Sequence, residues 1–304
     1  MHVLVTGGTG FIGTALCEAL LQRGDQASVL TRSRERARAH FRGRVAAVES
    51  LRELDGRSAP EAIVNLAGAN IGRVRWNAAH KQRFIQSRVE TTRHVVDYIR
   101  KASARPHVLI SGSAVGYYGA RGDEPLEEDA APGDEYQAHL CQAWEAEALA
   151  AEQHGVRVCI SRTGAVMGPG GGPLAGLVPQ FRRGLGASVG SGRQWLSWIH
   201  LDDLLRGLLH LIREPELHGA FNNTSPCPVT NRHFARVLGA VLHRPVPLRV
   251  PGWLLRIALG EMAHLYLTGQ RVIPSRHLQA GFRFHYPDLR AALAASLDTN
   301  KGVA

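Results

Sequence analysis

Short apolar runs alternate with longer amphipathic stretches through the first 165 residues, which dictates an α/β chain with parallel strands covered by helices on both faces. Two further observations complete that reading. A glycine-rich turn separates the first apolar run from the first helical pattern. After Gly168 the alternation gives way to glycine, proline and aromatic residues. The fold expected is a doubly wound parallel sheet with a smaller α+β lobe towards the C-terminus.

The chain opens with Val3-Leu4-Val5, a run suited to a strand buried on both faces. Gly7, Gly8, Gly10 and Gly13 follow, and Phe11-Ile12 begins a helical pattern that continues through Leu21. Gly7 permits a tight turn, Gly10 lets backbone approach a pyrophosphate, and Gly13 lets the helix pack closely on the strand. The helix start at Phe11, Ile12 and Gly13 offers free N–H groups and a partial positive charge to that pyrophosphate. A strand, a glycine turn and a helix in this order mark a Rossmann-like dinucleotide site.

Ala27–Thr31 is the second expected strand. An Asp or Glu just past it would accept from the ribose 2′-hydroxyl of NAD. Thr31-Arg32-Ser33 stands there instead. A guanidinium pairs with a phosphate and the hydroxyls donate to it, so NADP(H) is expected over NAD(H). Val45–Val48 reads as a third strand. Glu61–Gly68 reads as a fourth that ends in Leu66-Ala67-Gly68, where small residues let a cofactor lie against backbone. A helix over 76–101 carries Arg88, placed either over the cofactor phosphates or on a carboxylate. A fifth strand over 107–111 opens into Ser113, Tyr117 and Tyr118 at the carboxyl edge of the sheet, where ligands bind. Helix 135–154 and strand 156–161 complete the alternation.

The dinucleotide-binding domain is expected over 1–165, with 197–221 returning to it. The smaller substrate lobe takes 166–196 and 222–297 and contains helices over 231–242 and 253–267. The segment Trp198–Asp203 enters a helix capped by Asp202, and residues 298–304 form a tail.

Composition excludes several classes. Hydrophobic residues make up 44% of the 304 residues, enough for a real core, and no apolar run approaches the ~20 residues of a membrane helix. Cys17, Cys141, Cys159 and Cys227 show neither metal-ligand nor disulfide spacing, so no metal is expected and a reducing cytoplasm is the simplest compartment. The net charge is +10, but the arginines are mostly scattered. The one dense group, Arg32, Arg34, Arg36, Arg38, Arg42 and Arg44, follows the second expected strand and reads as a local cofactor role plus a solvated helix face, and no nucleic-acid motif accompanies it. A small-molecule substrate is expected, with neither nucleic acid nor membrane as partner.

Thr6–Gly13, Asn65–Gly68, Ser113 with Tyr118-Gly119, and Trp198–Asp203 together resemble the extended short-chain dehydrogenase/reductases. Trp144-Glu145, Arg162-Thr-Gly164, Gly190-Ser-Gly192 and Gly281–Pro287 resemble one atypical branch, the "epimerase family protein" group, which ends in a C-terminal domain of unknown function. The resemblance implies cofactor contacts at Gly7, Gly10, Gly13, Thr31, Arg32, Leu66, Ala67 and Arg88, with Val166 near the nicotinamide. Gly68 and Arg162 fall in the same shared motifs and are counted with the cofactor site. It also implies hydride exchange with a hydroxylated or carbonyl substrate, and a homodimer by analogy.

The wider superfamily works with Ser and Tyr-x-x-x-Lys. The lysine lies on the same helix face as the tyrosine and lowers the phenol pKa. Ser113 and Tyr136 are the catalytic candidates here, but the residue four beyond Tyr136 is Leu140. A phenol of pKa ~10 is only about 0.1% ionised at pH 7, so without the lysine Tyr136 is expected to donate rather than to act as a base. The missing lysine also supports an alternative reading, an NADP(H)-binding sensor with little turnover. His139, Tyr117, Tyr118, Trp195, Trp198 and His200 complete the candidates around that site.

Overall fold

The computed structural model describes residues 1–54, 59–72 and 74–298. Alternation produces β1 (His2–Thr6), α1 (Phe11–Gln22), β2 (Gln26–Leu30), α2 (Arg34–His40), β3 (Ala46–Val48), β4 (Ala62–Asn65) and α3 (Ala78–Lys101). It continues through β5 (Val108–Ala114), α4 (Tyr136–Leu149) and β6 (Arg157–Thr163). Residues 172–182 form α5 and 201–213 form α6, and β7 (Gly219–Asn223) closes the sheet.

All seven strands pair in parallel, in the order β7-β6-β5-β4-β1-β2-β3. The chain leaves β1 towards one edge and returns through β4 towards the other. The carboxyl ends of β1 and β4 therefore flank a crevice, the place where open α/β sheets bind ligands. Val3 and Val5 face a core shared with α1 and α6, while Leu4 and Ile63 face the opposite core under α3. A sheet buried on both faces explains why its strands read as continuous apolar runs rather than alternating ones.

Beyond the alternating segment, α6 packs on α1 and β7 extends the sheet beside β6. Strand Trp198–His200 pairs with Ala165–Met167 at the junction with the smaller lobe. That lobe holds α7 (Asn231–Val241), α8 (Gly252–Leu259), α9 (His264–Leu267), α10 (Ser275–Gln279) and α11 (Leu289–Leu297). Its core gathers Leu174, Phe181, Trp198, Phe234, Leu238 and Leu293.

Three expectations are corrected. The helix expected over 253–267 is broken, because Gly260 adopts φ +61° and a 3-10 turn over Gly260–Ala263 separates α8 from α9. The cap of α6 is His200, whose Nδ1 accepts from the Asp202 amide at 3.2 Å, and Asp202 lies in the first turn. The helix expected over 135–154 passes after Leu149 into a 3-10 turn, Ala150–His154. Of the expected tail over 298–304, residues 299–304 lie outside the described residues.

The lobes are stitched by buried polar groups. His277 on α10 is 1% exposed, and its Nε2 lies 3.1 Å from Oδ1 of Asn223 on β7. Burial, with His210 and Arg276 nearby, pushes the imidazole down to about 3. The unfolded chain takes up that proton near pH 6.5 and the folded chain does not, so this stability is complete above 6.5 and lost as the pH falls towards 3. Urea unfolding at pH 5 should show about 2 kcal/mol less stability than at pH 7 from this group, and His277→Asn should flatten the dependence. A wild-type profile flat between pH 7 and 5 would show that the buried imidazole is not held neutral.

Candidate functional site

The crevice between β1 and β4 is built from backbone. Gly7 has φ +67°, and a Cβ there would lie 2.8 Å from the Leu66 carbonyl carbon and oxygen. A Cβ on Gly13 would collide with the Gly7 carbonyl. The Gly10 amide closes the turn on the Gly7 carbonyl at 2.9 Å. Among the described residues no side chain caps α1, so its first amides face the crevice without an internal acceptor.

A buried hydroxyl relay holds the opposite wall. Thr6 Oγ1 donates to Asn65 Oδ1 at 2.6 Å and accepts from the Ala67 amide at 3.1 Å. Asn65 Nδ2 and Trp144 Nε1 both donate to Thr92 Oγ1, at 2.8 and 3.0 Å. These bonds fix Leu66-Ala67-Gly68 as a polypeptide platform across from the glycine turn. The cradle fits a dinucleotide, because two glycines without room for a Cβ and an uncapped helix start converge on one crevice.

Past β2, the arginine-rich stretch separates into committed and free members. Arg34 pairs with Glu53, and Arg44 with Glu18. Ser33 caps α2 through the Arg36 amide, and Thr31 Oγ1 folds back on the Ser33 backbone. Arg32 is exposed and has neither hydrogen bond nor ion pair among the described residues. It is thus available to an anion at the end of β2.

Arg88 resolves its two readings against a carboxylate. Its guanidinium lies against Gly68, with Nη1 donating to the Phe84 carbonyl at 3.1 Å and the Trp144 ring 5.2 Å away. It has no ion-pair partner among the described residues, and burial pulls its pKa down.

Among the described residues no hydrogen bond joins Ser113 and Tyr136. Ser113 is 6% exposed, and its Oγ donates to Glu145 Oε1 at 2.6 Å. Tyr136 donates instead to the Lys81 carbonyl at 2.9 Å, with the Lys81 ammonium 5.1 Å from its ring centroid. Burial raises the Tyr136 phenol, and Arg88 pulls weakly the other way. The contacts Lys81–Tyr136 and Thr92–Trp144 run α3 and α4 side by side in the same direction. Leu140 then packs in one cluster with Phe84, and the cations beside Tyr136, Lys81 and Arg88, both come from α3 rather than from α4.

Arg162 is spent on structure. It is 5% exposed, its Nε and Nη2 grip Glu145 at 2.9 and 2.8 Å, and Nη1 donates to Tyr118 and to the Glu128 carbonyl. Burial works against its charge, yet Glu145 holds its pKa above the ordinary value. The Arg162 guanidinium also stacks on Tyr117, 3.5 Å from the ring centroid. Tyr118 is fully buried and donates to Asn222 at 2.6 Å, and burial pushes its phenol up to about 12. The expected Arg162 cofactor contact is therefore corrected to a buried ion pair, and the Tyr118 hydroxyl is committed to Asn222, whereas Tyr117 is half-buried and engaged only through its ring. Among the remaining candidates, Phe11 packs under the 168–172 loop and Val166 is buried beside it. His139 is exposed beside Asp134, Trp195 donates to Asp123, Trp198 is buried, and His200 caps α6.

The model of the NAD dependent epimerase/dehydratase family matches residues 3–223, which hold the whole sheet and crevice. The chain belongs to that family. A second model, a domain of unknown function (DUF1731), matches residues 250–296, which include α8 to α10. Epimerase family protein SDR39U1 homolog, chloroplastic, of Arabidopsis thaliana is 40% identical over 301 residues, covering 97% of this chain and 86% of that protein. The human epimerase family protein SDR39U1 is 36% identical, covering 96% of this chain and 98% of that one. A crystal structure of the human protein with NADPH superposes with a TM-score of 0.88 at 34% identity, covering 98% of this chain and all of that one. UDP-glucose 4-epimerase of Thermotoga maritima, solved with UDP-glucose, shares the fold at a TM-score of 0.80 and 18% identity. The family fold is thus that of NAD(P)-dependent epimerases. Sequence reasoning missed the Glu145–Arg162 pair, although both residues stood in motifs it quoted; Trp144-Glu145 was the available signal.

Proposed function

We propose that the protein is an NADP(H)-binding oxidoreductase or epimerase that exchanges hydride with a small hydroxylated or carbonyl compound, a class that includes nucleotide sugars. One observation carries the reading. The glycine cradle ends beside Arg32, an exposed cation with no partner among the described residues, where an NAD-selective site would carry an acid. The human relative crystallised with NADPH supports the same cofactor. Bound NADP(H) supplies the hydride chemistry. The chain supplies orientation: the first amides of α1 and Arg88 favour negative charge, and the Leu66–Gly68 platform lets backbone lie close. Tyr136 stays a neutral phenol at neutral pH and donates a proton or hydrogen bond. Ser113, its proton held by Glu145, has only lone pairs left to offer. Four free thiols fit a reducing, cytoplasmic compartment.

The commitment of both hydroxyls favours a second reading, an NADP(H)-binding sensor with little turnover. Fluorescence titration with NADPH and NADH, followed by a panel of carbonyl substrates with NADPH, separates these. The enzyme reading expects tight NADPH binding, weaker NADH binding and measurable NADPH oxidation. Tyr136→Phe should then cut turnover by about 10²–10⁴-fold while NADPH affinity stays within about twofold. Tight NADPH binding with no turnover across the panel selects the sensor, and no binding of either cofactor overturns both.

A further inference from the structure

The charge surplus of this chain sits in one place. Residues 166–196 and 222–297, the smaller lobe, hold twelve arginines, no lysine and two acids, Glu261 and Asp288. That surplus of ten equals the net charge of the whole chain, so the remainder is balanced. Both acids are already engaged, Glu261 by Lys81 and Asp288 as the cap of α11. None of the lobe's arginines forms an ion pair among the described residues, whereas Arg23, Arg34, Arg44 and Arg93 of the larger domain all do.

Part of this surplus shares one face with apolar side chains left in water. The end of α5 exposes Arg182 and Arg183, and Leu185 beyond it is 58% exposed. Arg244 donates to the Arg182 carbonyl at 3.0 Å, which joins the turn after α7 to this end. Strand Ala187–Val189 pairs with Leu248–Val250, where Leu248 is 47% exposed and Arg249 reaches the Gly190 carbonyl. That second strand leads directly into α8. No residue of α8 is buried, and its outer side carries Trp253, Leu254 and Ile257 at 63%, 44% and 68% exposure, with Arg256 among them.

Large apolar side chains concentrated on one stretch of a monomer's surface mark an interaction site. Charge decides what covers it. A second copy would press two lobes of surplus ten against each other, which like-charge repulsion opposes. A polyanion such as RNA would take the arginines but offers nothing to Leu254 and Ile257. An anionic bilayer takes both: tryptophan and aliphatic side chains enter the headgroup layer while guanidinium groups pair with lipid phosphates.

We propose that this face docks the protein peripherally on an anionic lipid surface, with Trp253, Leu254 and Ile257 in the headgroup layer and the flanking arginines on lipid phosphates. The lack of a spanning segment, on which the sequence reading excluded a membrane, has no bearing on a surface contact of this kind. The proposal is independent of the hydride chemistry.

The test is flotation of the full chain with phosphatidylcholine vesicles, with and without phosphatidylglycerol. Binding is expected only to the anionic vesicles, falling as salt rises. Arg249→Gln with Arg256→Gln should weaken it about thirtyfold. Trp253→Ser with Ile257→Ser should weaken it about tenfold or more. Trp253 and Ile257 are exposed, so thermal unfolding of that variant should be unchanged, while loss of the Arg249 bond to the Gly190 carbonyl should lower the Tm of the arginine variant by only about 2 °C. Equal binding to both vesicle types, or binding to neither, overturns the proposal. So does an RNA oligonucleotide that binds with an affinity indifferent to Trp253 and Ile257, or a dimer in solution that the same double substitution dissociates.

Discussion

Glu145→Gln should lower the unfolding free energy by about 3–5 kcal/mol, a fall in Tm of about 5–8 °C. The side chain is 6% exposed and meets the Arg162 guanidinium with both oxygens, at 2.9 and 2.8 Å, while Oε1 also accepts the Ser113 proton. Replacing the carboxylate by an amide leaves the Arg162 charge at 5% exposure without its anion, and the cost of a buried unpaired charge sets the magnitude. The damage would spread, because Arg162 also donates to Tyr118 and to the Glu128 carbonyl. Glu128 in turn accepts the Asn222 and Arg276 amides. Urea unfolding of three variants separates charge from shape. Glu145→Gln and Arg162→Met each leave one ion stranded, whereas the double variant Glu145→Leu/Arg162→Met strands neither and should be closer to wild type than either single change. A loss below about 1 kcal/mol in Glu145→Gln would mean that water reaches the guanidinium and that the pair is not a buried one.

The parts of this molecule that could be read from sequence are those whose causes are local. Gly7 and Gly13 stand within a dozen residues of the strand and helix they join, and their lack of a Cβ is demanded by contacts with Leu66 and Gly7 itself. Arg32 was legible because its meaning depends only on following β2. Long-range partners were not. Ser113 finds Glu145 across 32 residues and Tyr136 finds the Lys81 carbonyl across 55, and neither partner is a sequence motif of that hydroxyl. The break at Gly260 hid inside an apolar period that runs on through Leu265 and Leu267. His200 took the cap from Asp202 by a shift of two residues, which the pattern of an acid before a helix does not reveal. Most of the arginines looked scattered because the segment 197–221 interrupts the lobe in sequence, while in space α6 packs on α1 and β7 extends the sheet beside β6.

Arg32→Ala should weaken NADPH binding by about 10- to 150-fold and leave NADH binding within about twofold. The 2′-phosphate is the only difference between the two cofactors, so a residue that reads it must act on one affinity alone. The range follows from the ~1.5–3 kcal/mol of hydrogen bonds between charged partners. Of the neighbouring cations, Arg34 is held by Glu53 and Arg44 by Glu18, whereas Arg36 and Arg38 on α2 are exposed, which favours the lower end of that range. Arg32→Lys keeps the charge but loses the planar fork, and should fall between alanine and wild type. Because Arg32 is exposed, raising the salt should narrow the NADPH advantage in the wild type and leave the alanine variant nearly indifferent. Equal losses for both cofactors would mean that the side chain supports the turn after β2 rather than a phosphate. No loss for either would move the phosphate to another cation. In that case selectivity would rest on the missing acid alone, and the preference for NADPH should then be small in the wild type as well, which the same pair of titrations measures.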